Sequence, residues 1–170
     1  MSRPKTTVIA FRSCLLALLA VVCACSGKST ESPSLPAPVA TTPVYAPGLG
    51  ETMSFTQMRH LKLWFAGQAG NWPLADYELD ELKEGFDDMV TFHPHHEKVP
   101  RPLAEMIQEL MLPGLNSVGA AIERKDVMQF TVAYDQLTNG CNGCHAASGL
   151  PFNRIVRPVA NPYANQQFQP

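Results

Sequence analysis

The chain has 170 residues, 45% of them hydrophobic and 16% charged, a balance that suits one compact domain with appendages and excludes both a wholly disordered chain and a multi-domain enzyme. Thirteen Lys and Arg stand against fifteen Asp and Glu with no basic block, which argues against an electrostatic nucleic-acid-binding surface. The five cysteines lie at 14, 23, 25, 141 and 144, split between the extreme N-terminus and one tight C-terminal group, a distribution unlike a disulfide framework.

Residues 1–24 read as a signal peptide. Arg3, Lys5 and Arg12 precede an apolar run from Cys14 to Ala24 that contains no acid. The run is about a dozen residues long, whereas a membrane-spanning helix needs about 20. Its end, Val22-Cys23-Ala24-Cys25-Ser26, resembles the lipobox of bacterial lipoproteins, in which the cysteine after a small residue is acylated and becomes the new N-terminus. The resemblance implies lipidation at Cys25. Cys23 fits worse because Val22 would occupy the cleavage position, and an ordinary secretory signal cut nearby is the alternative. Cleavage before Cys25 removes three basic residues and no acid, so the mature chain is acidic. Residues 25–50 follow as a tether in which Pro33, Pro36, Pro38, Pro43 and Pro47 alternate with small and polar residues, a composition that extends and cannot bury a core.

Residues 51–147 hold four stretches of helical spacing and no convincing alternation of strand type, so the expected fold is all-α, a four-helix bundle. The first helix is expected from Thr52 to Gln68, with Arg59 and Lys62 on one side and Met53, His60, Leu61 and Trp64 around the other, which points His60 inward. The second is capped by Asn71, carries Pro73 in its first turn, and runs to about Val90. Its apolar stripe is Ala75, Leu79, Leu82, Phe86, Met89 and Val90. Asp76, Glu78, Asp80, Glu81, Glu84, Asp87 and Asp88 crowd the remainder, read as a solvated face or as a docking patch for a basic redox partner. After a loop from Thr91 to Pro100 the third helix is expected from Pro102 to Lys125, kinked or broken at Pro113-Gly114. Asp126 caps the fourth, whose stripe Val127, Phe130, Tyr134, Leu137, Cys141 and His145 shares one sector of the wheel.

That stripe ends in Cys141-Asn142-Gly143-Cys144-His145, the C-x-x-C-H attachment signature of c-type haem. Positions i, i+3 and i+4 share a helix face, so two thiols can form thioethers to the vinyl groups of one porphyrin while the adjoining imidazole supplies a nitrogen to iron. Gly140 and Gly143 are expected to leave room for the macrocycle. A thioredoxin-like pair would need its thiols at a helix start after a strand, and a structural zinc would need four ligands, for which only His93, His95 and His96 are on offer.

The helix count, the motif's place at the end of helix four and the stripe Phe130, Tyr134, Leu137 leading into Cys141 together resemble the cytochrome c prime superfamily over about residues 51–147. Met58-Arg-His-Leu-Lys-Leu-Trp-Phe-Ala-Gly looks like the start of a bundle cytochrome. The resemblance implies one covalent haem c held by Cys141 and Cys144, with His145 as proximal iron ligand. It also implies either an open distal face or a distal side chain from the first helix, commonly methionine. Here Met53, Met58 and His60 compete. Met58 lies within about 40° of Lys62 on the wheel, which favours His60.

With two strong-field ligands the iron changes oxidation state with little movement, which suits electron transfer. The expectation is therefore a monohaem single-electron carrier and not an enzyme. It would face the periplasm, tethered by lipid to the inner or outer membrane of a bacterial envelope, and serve redox partner proteins, with the oligomeric state left open, a homodimer included. The alternatives are a gas-binding or sensing haem protein with an open distal site, and a haem subunit of a larger oxidoreductase complex. His93-Pro94-His95-His96 reads as an exposed turn, with a haem-edge contact or an adventitious metal as the other options. The irregular tail, residues 148–170, is expected to lay its apolar residues Phe152, Ile155, Val156, Tyr163 and Phe168 over an edge of the haem pocket.

Overall fold

The computed structural model describes residues 45–170. The expected signal segment, Cys25 and most of the expected 25–50 tether lie outside the described residues. Among the described residues the fold is all-α with four joined helices. Helix α1 spans Leu49–Gln68 and α2 spans Trp72–Phe92. Helix α3 is a run of three pieces, Leu103–Met106, a π-helical segment Ile107–Met111, and Leu112–Glu123. Helix α4 spans Val127–Ala147. Each helix packs on its neighbours in sequence and α1 also meets α4, so the chain closes an up-and-down ring of four. No described helix is long and apolar enough to cross a membrane.

The ends are set by local chemistry. Asn71 accepts a hydrogen bond from the Leu74 amide at 3.3 Å, and Asp126 accepts from those of Met128 and Gln129 at 2.9 and 3.0 Å, satisfying amides that have no partner within the helix. Gly70 takes the left-handed conformation, with φ of 69°, and lets α1 reverse into α2.

Pro113 neither breaks α3 nor bends it in isolation. The wide π turn immediately upstream, closed by the Leu112 amide on the Ile107 carbonyl, accommodates the missing amide and the ring that an α-turn would reject. The same stretch is pressed against α4. A Cβ on Gly114 would lie 2.6 Å from the Leu137 Cα, and one on Gly140 would lie 2.3 Å from the Leu110 carbonyl oxygen. Gly140 thus serves helix contact, not space for a macrocycle, and Gly143 faces the Leu110 side chain at 3.6 Å.

The buried stripe of α1 is Thr52, Thr56, His60, Leu63, Ala66 and Gly67, while Leu61 and Trp64 are half-buried. The inward arc is rotated from the expected one because α1 packs on both α2 and α4. Arg59 consequently faces α2 and bridges the carboxylates of Glu78 at 3.1 Å and Glu81 at 2.5 Å. Glu78 is 1% exposed, so this member of the acidic stripe belongs to the helix interface and not to the solvated face.

Where α1 turns into α2, aromatic rings fill the core. Trp64 lies 4.8 Å from Tyr134 and 6.5 Å from Phe130 between ring centres, and Trp72 meets Phe130 edge-on at 6.2 Å. Phe130 and Tyr134 are completely buried. The tail runs the length of the bundle to this end, where Phe168 packs against Phe65 at 5.6 Å.

Candidate functional site

At the opposite end, where α1 begins and α4 finishes, the helices enclose a cavity of about 380 Å³. This lies within the range of about 300–1,000 Å³ usual for cofactor and ligand pockets. Cys141, Cys144 and His145 lie in its wall, as does His60 from the middle of α1. Met53 also lines it, whereas Met58 is half-buried elsewhere on α1 and does not. Met89, Met106 and Met111 complete the apolar side.

The thiols are carried into the wall by the periodicity that buries Tyr134 and Leu137 on the preceding turns of α4. Both are free. Burial, followed by the neighbouring Cys144, pushes the Cys141 thiol up to about 12, and burial also raises Cys144. The motif ends a helix, where the macrodipole disfavours an anion. A nucleophilic thioredoxin-type thiolate needs the reverse, so the pair is not built for disulfide exchange.

His145 is half-buried, and its Nδ1–H donates to the Asn153 carbonyl oxygen at 2.6 Å. A neutral imidazole with its proton on Nδ1 presents its lone pair on Nε2, the arrangement in which metal-binding histidines are held. Nε2 has no hydrogen-bond partner among the described residues.

His60 is 3% exposed and has both ring nitrogens engaged by α4. Nε2 lies 2.9 Å from Thr138 Oγ1, and Tyr134 Oη lies 2.9 Å from Nδ1 and from the His60 carbonyl oxygen. The Thr138 hydroxyl donates to the Tyr134 carbonyl at 2.8 Å, so it can only accept from the ring. The proton therefore sits on Nε2, and Nδ1 and the His60 carbonyl oxygen share the single Tyr134 hydroxyl hydrogen. Burial lowers the His60 pKa to about 4, consistent with this neutral form, and raises that of Tyr134. The two rings stack with centres 4.4 Å apart.

The loop histidines are less exposed than a free turn would leave them. His93 is half-buried with Nε2 2.7 Å from the Pro47 carbonyl oxygen, and the half-buried His96 lines the cavity; only His95 is fully exposed. Among the described residues no three His, Cys, Asp or Glu side chains converge on a bare-metal site. From the tail, Leu150, Asn153 and Ile155 reach the cavity wall, while Phe152 and Val156 point to solvent. Sequence reading named His96 within a loop read first as an exposed turn, and missed the Asn153 carbonyl and the Thr138 and Tyr134 partners of His60. Only Tyr134 carried a signal, as a member of the stripe that leads to Cys141; Thr138 lies one turn beyond it and was not singled out.

No family model, no curated protein and no solved structure matches this chain.

Proposed function

We propose that this chain is a periplasm-facing, lipid-tethered monohaem c-type cytochrome of the bundle type that resembles cytochrome c prime, and that it carries single electrons between redox partner proteins. The observation that carries the reading is the meeting of both motif cysteines and His145 in the wall of one largely apolar cavity, with His145 Nδ1 tied to a backbone carbonyl and Nε2 left as the acceptor. These residues fit one haem c, with Cys141 and Cys144 as thioether positions and His145 as proximal ligand. Such a group would supply a one-electron couple in a shell of low polarity.

This chain's own residues do the rest. The protonated thiols are held one helical turn apart for addition to vinyl groups, and the methionines and Ile107 exclude water. The acidic residues of α2 that remain exposed, Asp76, Asp80, Glu84, Asp87 and Asp88, give a basic partner a field to approach. Cys25, acylated, would fix the molecule to the inner or outer membrane through the Pro-rich tether.

A second reading has its own support. Because His60 uses both ring nitrogens in bonds to α4, iron ligation would require it to give up the Thr138 bond, which favours Met53 or an open distal face. An open face would make the protein a gas-binding or sensing module.

The deciding experiment is expression of the full chain in a host with haem c maturation. A mature protein heavier by one haem and spectroscopically low-spin, slow to bind carbon monoxide when reduced, supports the carrier. A high-spin ferrous form that binds carbon monoxide at once supports the gas-binding alternative. A colourless protein with the mass of polypeptide plus lipid rejects both, and co-purification of a stoichiometric partner points to a complex subunit.

A further inference from the structure

Two side chains of the attachment motif touch the tail as well as facing the site, and the tail comes back to them by a defined route. Gly149 adopts the left-handed conformation, with φ of 74°, which stops α4 and reverses the chain. The Leu150 amide then donates to the His145 carbonyl at 2.8 Å, and the Asn153 amide to the Leu150 carbonyl at 3.0 Å. This pair of turns brings the Asn153 carbonyl to His145 Nδ1.

Two residues further on, the tail is gripped. Asn142 Nδ2 donates to the Ile155 carbonyl oxygen at 2.9 Å, and the Ile155 amide donates to Asn142 Oδ1 at 2.8 Å. One side-chain amide thus satisfies both backbone groups of one residue, as a neighbouring strand would. Beyond this clamp Arg157 is paired with Asp135 and lies over the Trp64 ring, so the tail leaves along α4 and does not swing back over His145.

We propose that Asn142 is a positioning residue for the proximal ligand: by clamping Ile155 it holds the Asn153 carbonyl on His145 Nδ1, and through that bond the tail sets the donor strength of Nε2. The inference rests on the haem reading above. A carbonyl that accepts from Nδ1 makes the imidazole a stronger donor and stabilises the ferric state, so the clamp keeps the reduction potential low. In the C-x-x-C-H pattern the residue at 142 is free to vary, and nothing in the attachment chemistry demands asparagine there.

The test uses the haem-loaded full chain in four forms: the parent, Asn142→Ala, a chain ending at Gly149, and the shortened chain with Asn142→Ala. Two quantities are read, the midpoint potential and the hydrogen exchange of the Ile155 amide. Asn142→Ala is expected to move the potential upward and to speed Ile155 exchange at least about tenfold, as loss of a hydrogen bond worth about 1.5 kcal/mol would. The shortened chain is expected to show at least as large a rise, to which Asn142→Ala adds nothing. The proposal is overturned if Ile155 exchanges at the parent rate, if the potential does not move, or if Asn142→Ala shifts it equally without the tail. A parent chain that takes up no haem defeats the functional reading instead, and Ile155 exchange in that colourless protein still decides whether the clamp exists.

Discussion

Near the turn between α1 and α2, Trp64, Trp72, Phe130 and Tyr134 fill the space between the helices with their own rings. At the far end of the same helices, Met53, Met89, Met106 and Met111 surround about 380 Å³ that no side chain occupies. Four of the seven methionines are therefore spent on one cavity wall. Rigid rings suit a core that must be complete when the chain folds, and pliable thioethers suit a wall that, on the proposed reading, adapts to a separate body. The boundary between the two regions is the layer of His60, Tyr134 and Thr138, a closed set of hydrogen bonds that faces packed rings on one side and the cavity on the other.

The sharpest way to break the comparison, on the haem reading proposed above, is to deprive the cavity of its two thiols. Cys141→Ser together with Cys144→Ser is expected to abolish covalent haem entirely, read as the loss of one haem mass under denaturing conditions, while the helical circular dichroism is retained. A contrast in stability comes next. In the haem-free double variant, Phe130→Ala is expected to cost about 3–5 kcal/mol in denaturant unfolding, because a fully buried ring leaves a hole. Met53→Ala, half-buried at the open end, is expected to cost about 1 kcal/mol. Equal costs would show that the two ends are packed alike.

The boundary layer has its own signature in pH. The His60 pKa is lowered by burial from 6.5 to about 4, so between these values the unfolded chain binds the extra proton. The contribution of the neutral ring is complete above about pH 6.5, and falls away as pH drops toward 4 by on the order of 3 kcal/mol. His60→Gln in the haem-free chain is expected to flatten that slope, measured as the change in unfolding free energy between pH 7 and 4. Gly140→Ala is expected to cost about 1–3 kcal/mol, since the new methyl would meet the Leu110 backbone and α3 would have to move away. Its cost should appear in thermal unfolding with or without haem, because that contact belongs to the packing and not to the cavity.

Much of the framework was legible. Three-four spacing located all four helices, with α1 beginning at Leu49, three residues before the expected Thr52, and α2 running on to Phe92. The caps at Asn71 and Asp126 act within one turn of chain and were readable for that reason. The inward orientation of His60 followed from the helical wheel, but its partners did not, since Tyr134 and Thr138 are more than 70 positions away. Glu78 looked like one more solvated acid because its partner Arg59 sits on another helix. The π segment was hidden behind a signal that is normally read as a kink, for Pro113 reports that an α-turn must fail and does not report how the chain resolves it.

Alone, then, the order of residues determined the four helices, the spacing of the two thiols and the imidazole beside them, because each depends on contacts within a turn or two of backbone. Only the tertiary structure decided that these three groups share a cavity with His60, Met53 and His96, which proton the buried imidazole keeps, and that Asn142 and Asn153 join the tail to the motif. Those outcomes depend on distances between segments remote in the chain, and such distances are set by how closely the helices can approach, at Gly114 and Gly140 above all.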